Sequence, residues 1–447
     1  MAGVITVGGL ATGIDTQSII TQLVALEHRP VDLLGLDVEG VQATQASITS
    51  LTSKLGTLRA AAHALDTADG VLVRQATSSD LGVLEAAAGT GAQPGSVTLT
   101  VGELARGSVA GATVGVASAS STVASGPGTF QFQVGSGTVQ SVAVDATTTL
   151  AGLASAINAL DAGVTASAVN LGTASSPDFR LEIVSRATGA TSTVTVTHDD
   201  TALAVQTAQA GQNAQFTVSG FSGTFERESN TFGDVLSGVT LTLRDRGTAT
   251  VTVADDADKI TAKVKTLVAA FNDVVNFVAG QSQVSESQDK SQVTLGSLAT
   301  DSTVKHLVAR LHEVFSEAVG GTYTNLSSLG LATQQDGTIT FDESKFHSAL
   351  GTDATAVAET FAGNGTAHGV ARDFGALIDD MTAAGGSLAI HSTALDAQIR
   401  SLQDQIDAGQ REVDAFELNL RAQFTALESF VSGLKSQGSF LKQAFGG

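Results

Sequence analysis

The chain has 447 residues, with 44 acidic against 23 basic side chains, a formal net charge of −21 and no cysteine. Affinity for nucleic acid rests on Lys and Arg neutralising phosphates, so this balance argues against a nucleic-acid partner and equally against an anionic membrane surface. Without cysteine there are no disulfides, no thiolate catalysis and no Cys-based zinc site.

At roughly 150 residues per domain the length suggests about three domains. Aromatics are 4%, with one Tyr and no Trp, while Gly numbers 48. Cores must therefore be built from Val, Leu, Ala and Phe. The opening MAGVITVGGLATGID has no basic segment and no long apolar core, so no Sec signal peptide is expected. No run of about 18 apolar residues exists to form a membrane-spanning helix.

In chain order, a glycine-rich stretch from Gly8 to Gly13 leads to Asp15, placed to cap a short helix carrying Ile19, Ile20, Leu23, Val24 and Leu26. Pro30 is expected to interrupt it. A second helical pattern runs from about Val31 to Leu65, with the seam Leu34, Val38, Val41, Gln45, Ile48, Leu51, Leu55, Leu58, Ala62 and Leu65. Ile48 to Leu51 repeats a spacing of three, a stammer in the heptads. Gly35 and Gly40 weaken the first part of this pattern.

Between the ends the period falls to two. Alternating apolar residues occur at Val97/Leu99/Val101, Phe130/Phe132/Val134, Val142/Val144, Phe179/Leu181/Ile183, Val194/Val196, Phe216/Val218, Val239/Leu241/Leu243 and Val251/Val253. Thr, Ser or Gln fill most intervening positions, as in half-buried antiparallel sheets. One helix interrupts, Thr149 to Leu160, with Leu150, Leu153, Ile157 and Leu160 on one face. Helix resumes near Asp255, with Asp255, Asp256 and Asp258 complementing its dipole and Ile260 to Val278 forming its apolar face. After a polar break from Gln281 to Ser291, helices are expected at Ser302 to Ala318, Thr355 to Phe361 and Ala367 to Met381.

The last segment carries a long heptad seam: Leu395, Ile399, Leu402, Ile406, Gly409, Val413, Phe416, Leu420, Phe424, Leu427, Val431 and Leu434. Only Gly409 breaks the apolar row, and Leu420 to Phe424 is a stutter. Burying each large apolar side chain is worth about 1.5–3 kcal/mol, so leaving ten in water forfeits on the order of 20 kcal/mol. The seam needs a partner: the other end of this chain, or the same helix of another copy. The fold class expected is thus α+β multidomain, a terminal coiled-coil or helical bundle from both chain ends with inserted antiparallel β-rich domains.

Nothing points to catalysis, a cofactor or a metal. The eight histidines are scattered; His306 and His312 are six apart, and His312–Glu313 lacks the second His of a zincin. Asp199–Asp200 and Asp379–Asp380 are adjacent residues that do not share a face. Gly126–Pro127–Gly128 and Gly135–Ser136–Gly137 lack the Walker lysine and the dinucleotide spacing. They read as turns.

Three segments together resemble the bacterial flagellar filament cap family, hook-associated protein 2. They are GLATGIDTQSIITQLVALEHRPVDLL (Gly9 to Leu34), LSSLGLATQQDGTITFDESKFHSALGTDATAVAETFAG (Leu326 to Gly363) and FELNLRAQFTALESFVSGLKSQGSFLKQAF (Phe416 to Phe445). A fourth, TLAGLASAINALDAGVTASAVN (Thr149 to Asn170), is similar to the "IN" motif of flagellin and hook proteins, centred on Ile157 and Asn158. The Asn-rich opening helix of flagellar junction proteins is absent.

The resemblance implies terminal legs at 1–42 and 395–447, a helical bundle at 43–74 and 257–394, a β-rich domain at 75–106 and 211–256, and an outer β-rich domain at 107–210. It implies a ring, commonly a pentamer, at the filament tip, where it promotes flagellin folding and insertion. Expected partners are copies of itself, flagellin and an export chaperone, with secretion by the flagellar type III apparatus. The contact residues expected are the C-terminal seam from Leu395 to Leu434 and, on the N-terminal leg, Ile19, Ile20, Leu23 and Leu26. The alternatives are a tip adhesin binding host glycan or mucin, or another flagellar axial protein.

Overall fold

The structure is a computed structural model that describes residues 15–286, 293–317, 322–364 and 368–446. The glycine-rich opening, Ala318 and Ala367 lie outside the described residues. In chain order come α1 (Thr16–His63) and the short α2 (Ala68–Val71). Next are the strands β1 (Arg74–Ser78), β2 (Leu84–Ala88), β3 (Gly95–Glu103), β4 (Val109–Ala112), β5 (Gly128–Val134) and β6 (Gln140–Val144). After α3 (Leu150–Ala159) are β7 (Val164–Asn170), β8 (Phe179–Ser185), β9 (Val194–Asp199), β10 (Val205–Gln209) and β11 (Ala214–Val218). Then come β12 (Phe225–Arg227), β13 (Thr231–Leu236), β14 (Val239–Leu243) and β15 (Gly247–Asp255). The remainder is helical apart from two hairpins. It comprises α4 (Ala257–Gln281), β16 (Val284–Glu286) with β17 (Val293–Leu295), and α5 (Ser302–Ser316). β18 (Leu331–Thr333) with β19 (Ile339–Phe341), α6 (Glu343–Ala362), α7 (Val370–Thr382) and α8 (Ser387–Phe445) complete it.

The chain divides into two compact units, Met1–Val71 with Ile260–Gly447, and Leu72–Lys259. In the first, both chain ends return to one helical bundle. Leu51, Leu55 and Leu58 of α1 are fully buried, as are Ile260, Val264 and Val274 of α4, Leu307 and Leu311 of α5 and Phe361 of α6. Phe271 stands among His312, Phe315 and Phe374, with ring centroids 5.5, 6.0 and 5.8 Å away. None of the described helices is long and apolar enough to cross a membrane.

The second unit holds two apolar cores. One lies between the five-stranded sheet β1-β15-β3-β11-β12 and the three-stranded sheet β13-β14-β2 and contains Leu84, Leu99, Phe216, Leu241 and Val251. On the opposite face of β3 and β15, Thr98–Thr250 and Thr100–Thr248 pair through their hydroxyls at 2.8 and 2.9 Å. This is the period-two pattern at work, with Val and Leu inward and Thr laddered outward. The other core joins β10-β4-β8-β7, β6-β5-β9 and α3, around Phe130, Phe132, Leu150, Leu153, Ile157, Leu181 and Ile183.

Four expectations need correction. Pro30 does not end the first helix: α1 runs through it for 48 residues. Both Pro30 and Leu26, whose carbonyl loses its partner, are exposed, which leaves that carbonyl open to solvent. The burial of Ile20, Val31 and Val38 on the other side outweighs the cost of about 3 kcal/mol. Leu160 does not share the apolar face of α3; it is the C-cap and is exposed. The helix expected over Thr355 to Phe361 is the second half of α6, which breaks at Asp353. There Asp353 accepts the Ala356 amide at 2.9 Å and caps the second half of the helix. The polar break after Gln281 becomes the β16–β17 hairpin, its middle lying outside the described residues.

Candidate functional site

The two longest helices, α1 and α8, pack antiparallel within the first unit. At 1.5 Å per residue they are about 72 and 88 Å long. Asp15 caps α1 by accepting the Ser18 amide at 3.0 Å, in line with the sequence. Three pairings fix the register. Gln45 donates to Asp396. His28 places Nε2 2.9 Å from Gln410 Oε1 and Nδ1 2.9 Å from Asp32. Gln410 in turn donates Nε2 to Asp414 at 2.9 Å, which fixes its amide orientation. Finally, Val31 sits over Gly409, where an added Cβ would come within 2.8 Å of Val31 Cγ2.

Gly409 therefore is not a gap in the seam but a point where Val31 fills the space a side chain would take. Replacing it with Leu pits a helix-propensity gain of somewhat under 1 kcal/mol against overpacking of about 1–3 kcal/mol. The expected outcome is a net loss of leg stability, read as a lowered thermal midpoint by circular dichroism. An unchanged midpoint together with unchanged filament elongation would show that the close approach has no role. Gly35 and Gly40 face open space and play no such part.

The inner ends of the legs are clamped by polar contacts. Ser47 meets Ser297 hydroxyl to hydroxyl at 2.7 Å, and Thr44 donates to the Ser297 carbonyl at 3.0 Å. His391 of α8 contacts Asp301 at 2.6 Å, while Asp301 also caps α5 by accepting the Val304 amide.

Outward, this cover thins. Leu395 and Ile399 are buried, as is Val413 farther out; Leu402, Ile406, Phe416, Leu420, Phe424 and Val431 are half-buried; Leu427 and Leu434 are exposed. Extending the observed register puts Thr16, the first residue of α1, level with about Gln423. Beyond that level α8 continues as an overhang with no helix of the described residues beside it. It carries Leu427, Phe430, Leu434, Phe440 and Leu441, exposed by 42 to 69%. Its charges are Glu428, Lys435 and Lys442.

The N-terminal group divides. Ile20 points inward and is 5% exposed, whereas Ile19, Leu23 and Leu26 point outward. With Pro30 and Leu33 they form a second row at spacings of four, three, four and three, a heptad seam that the described residues leave exposed. Leu33 and Leu36, both 62% exposed, and Phe440 and Leu441 were not among the residues expected. The spacing from Ile19 to Leu33 was the available signal.

The remaining candidates are committed to structure. The ring nitrogens of His312 lie 2.8 Å from the carbonyls of Val308 and Gly337. Asp199 accepts the amides of Thr201 and Val205, and Asp379 pairs with Arg59 at 2.9 Å. Among the described residues no group of three His, Asp or Glu is arranged to hold a metal ion. A cavity of about 260 Å³ is lined by Ile48, Thr49, Thr52, Thr382, Leu388, Ala389 and Ser392. Its threonine hydroxyls already donate to carbonyls of their own helices.

Comparison with known proteins gives a consistent result. Residues 12–108 match the family described as the flagellar hook-associated protein 2 N-terminus, and residues 211–436 the corresponding C-terminus. The outer core, between these spans, lies in neither match. The chain is 27% identical to flagellar hook-associated protein 2 of Escherichia coli K12, over 98% of this chain and 97% of that one. It is 28% identical to the B-type flagellar hook-associated protein 2 of Pseudomonas aeruginosa, over 94% of each. Its fold is similar to the D1-D2-D3 domains of the flagellar cap protein FliD from Escherichia coli. The TM-score is 0.64 at 25% identity, covering 78% of this chain and 99% of that one.

Proposed function

This chain belongs to the flagellar hook-associated protein 2 family, and on that premise we propose how it works as the structural cap at the distal tip of the flagellar filament. The observation that carries the mechanism is the pair of uncovered apolar seams on the legs, one on α1 and one on the α8 overhang. A surface helix exposing a heptad row in water gains by burying it, at about 1.5–3 kcal/mol per large side chain. The seam on α1 pairs with the legs of neighbouring copies, their α8 overhangs included, to close a ring, a pentamer in the form that the family resemblance implies. The overhang reaches the last flagellin subunits and supports the folding and insertion of the next.

The chain is proposed to act without catalysis, through contact alone. We assign the legs to 1–42 and 395–447, the bundle to 43–74 and 257–394, and the β-rich domains to 75–106 with 211–256 and to 107–210. Export through the flagellar type III apparatus, with an export chaperone covering the apolar overhang beforehand, completes the reading. No observation favours a tip adhesin for host glycan or mucin.

The experiment is complementation. In a flagellated strain lacking its own cap gene, and supplied with the flagellin native to this chain, the full chain restores filaments and retains flagellin on the cell. Flagellin lost to the medium despite secretion of the chain would refute the cap function.

A further inference from the structure

Three asparagines hold the main chain of one distant residue in both directions. Asn158 does so with Ala166, Asn230 with Ala105 and Asn272 with Ile339. In each the backbone N–H donates to Oδ1 at 2.7 Å and Nδ2 donates to the carbonyl at 2.8 Å. The paired donor and acceptor fix the amide orientation, since a flip would oppose donor to donor. Such an amide presents to a strand what a neighbouring strand would present.

At Asn158 the strand concerned is β7, the terminal strand of the sheet β10-β4-β8-β7. The register pairs Thr165 with Val184 and Ser167 with Glu182, and Arg186 donates to the Gly163 carbonyl at 2.8 Å. The odd-numbered residues of β7 therefore bond to β8, while Val164, Ala166, Ala168 and Asn170 turn their N–H and C=O groups to the open side. Asn158 occupies both groups of Ala166. The strand itself, VTASAVN, contains no charge, Pro or Gly, and so lacks the usual devices that keep edge strands from pairing.

We propose that β7 is a strand-addition surface for the β7 of a second copy, held closed by the Asn158 side chain. Antiparallel self-pairing about Ser167 sets Ala166 opposite Ala168 of the copy, and these two residues would exchange both hydrogen bonds. Both members of this pair are alanines. That register needs the same N–H and C=O of Ala166 that Asn158 holds, so the two arrangements are exclusive. Asn272 on α4, holding the N–H and C=O that the buried Ile339 of β19 turns away from β18, is an independent instance of the same device in the other unit.

The absence of cysteine makes the test direct. Ser167 is exposed and would face its counterpart as a non-hydrogen-bonded pair, about 4.5 Å between Cα atoms and within disulfide reach. The full chain carrying S167C is oxidised with and without N158A, and linked dimers are read on non-reducing gels and by peptide mass. Opening the edge is expected to raise the linked fraction at least about tenfold. Equal linking in both, or none in a folded N158A chain, overturns the proposal. Should the alanine variant fail to fold, N158S is scored in the same way. Its shorter side chain cannot hold the N–H and the C=O of Ala166 together, so it too must link.

Discussion

A chain cut before Phe424 is expected to keep its fold and to lose its assembly. By the observed register, what is removed begins level with the first residue of α1 and runs beyond it, so the cut leaves the pairings of that helix from Ile20 onward in place. Leu51, Leu55, Leu58, Leu395, Ile399 and Val413, which bury the leg bases, are untouched. Stability of the first unit should change little, since apart from the half-buried Phe424 and Val431 the large apolar residues removed are exposed. What goes is the row Leu427, Phe430, Leu434, Phe440 and Leu441. Its burial is worth roughly 8–15 kcal/mol before the entropy of association is subtracted. In the complementation strain the truncated chain should leave filaments unextended, with flagellin in the medium. Filaments of normal length would show that the overhang is dispensable.

The largest effect on stability is expected at Phe271. It is 1% exposed and touches three rings contributed by α5 and α7. Phe271→Ala should cost about 3–5 kcal/mol, the transfer term plus the cavity left where neighbouring helices cannot collapse. The chain supplies its own reporter. Its single tyrosine, Tyr323, lies in the same unit and donates to the Ala349 carbonyl at 3.3 Å. Urea titration followed by Tyr323 fluorescence should show an early transition in the variant. A cost below about 1 kcal/mol would mean that the site relaxes and that the aromatic cluster does not hold the bundle together.

The legible parts of the sequence are those where large residues mark a period. Phe130/Phe132, Leu181/Ile183 and Val239/Leu241/Leu243 all lie on strands with those side chains buried, and the α8 seam is helical throughout. Strands built from small or polar residues left no such mark. β2 is LEAAA, β4 is VAGA and β10 is VQTAQ, and none was anticipated. Their apolar area is too small to show a period, and their place is set by pairing with neighbours instead.

The candidate site was legible in composition but not in direction. Helical spacing put Ile19, Ile20, Leu23 and Leu26 on one short helix, and the family resemblance made them leg residues. Neither could say that Ile20 turns inward while the others turn out, because that depends on where α8 lies. Gly409 likewise read as a flaw until Val31 was seen above it.

The central claim is that uncovered leg seams carry self-assembly. Light scattering on the purified full chain, across a concentration series and beside the chain cut before Phe424, tests it most directly. The account predicts a multi-chain assembly for the full chain that grows with concentration and is weakened or lost in the cut chain. A full chain that stays strictly monomeric at high concentration, or a cut chain that assembles equally well, would contradict it.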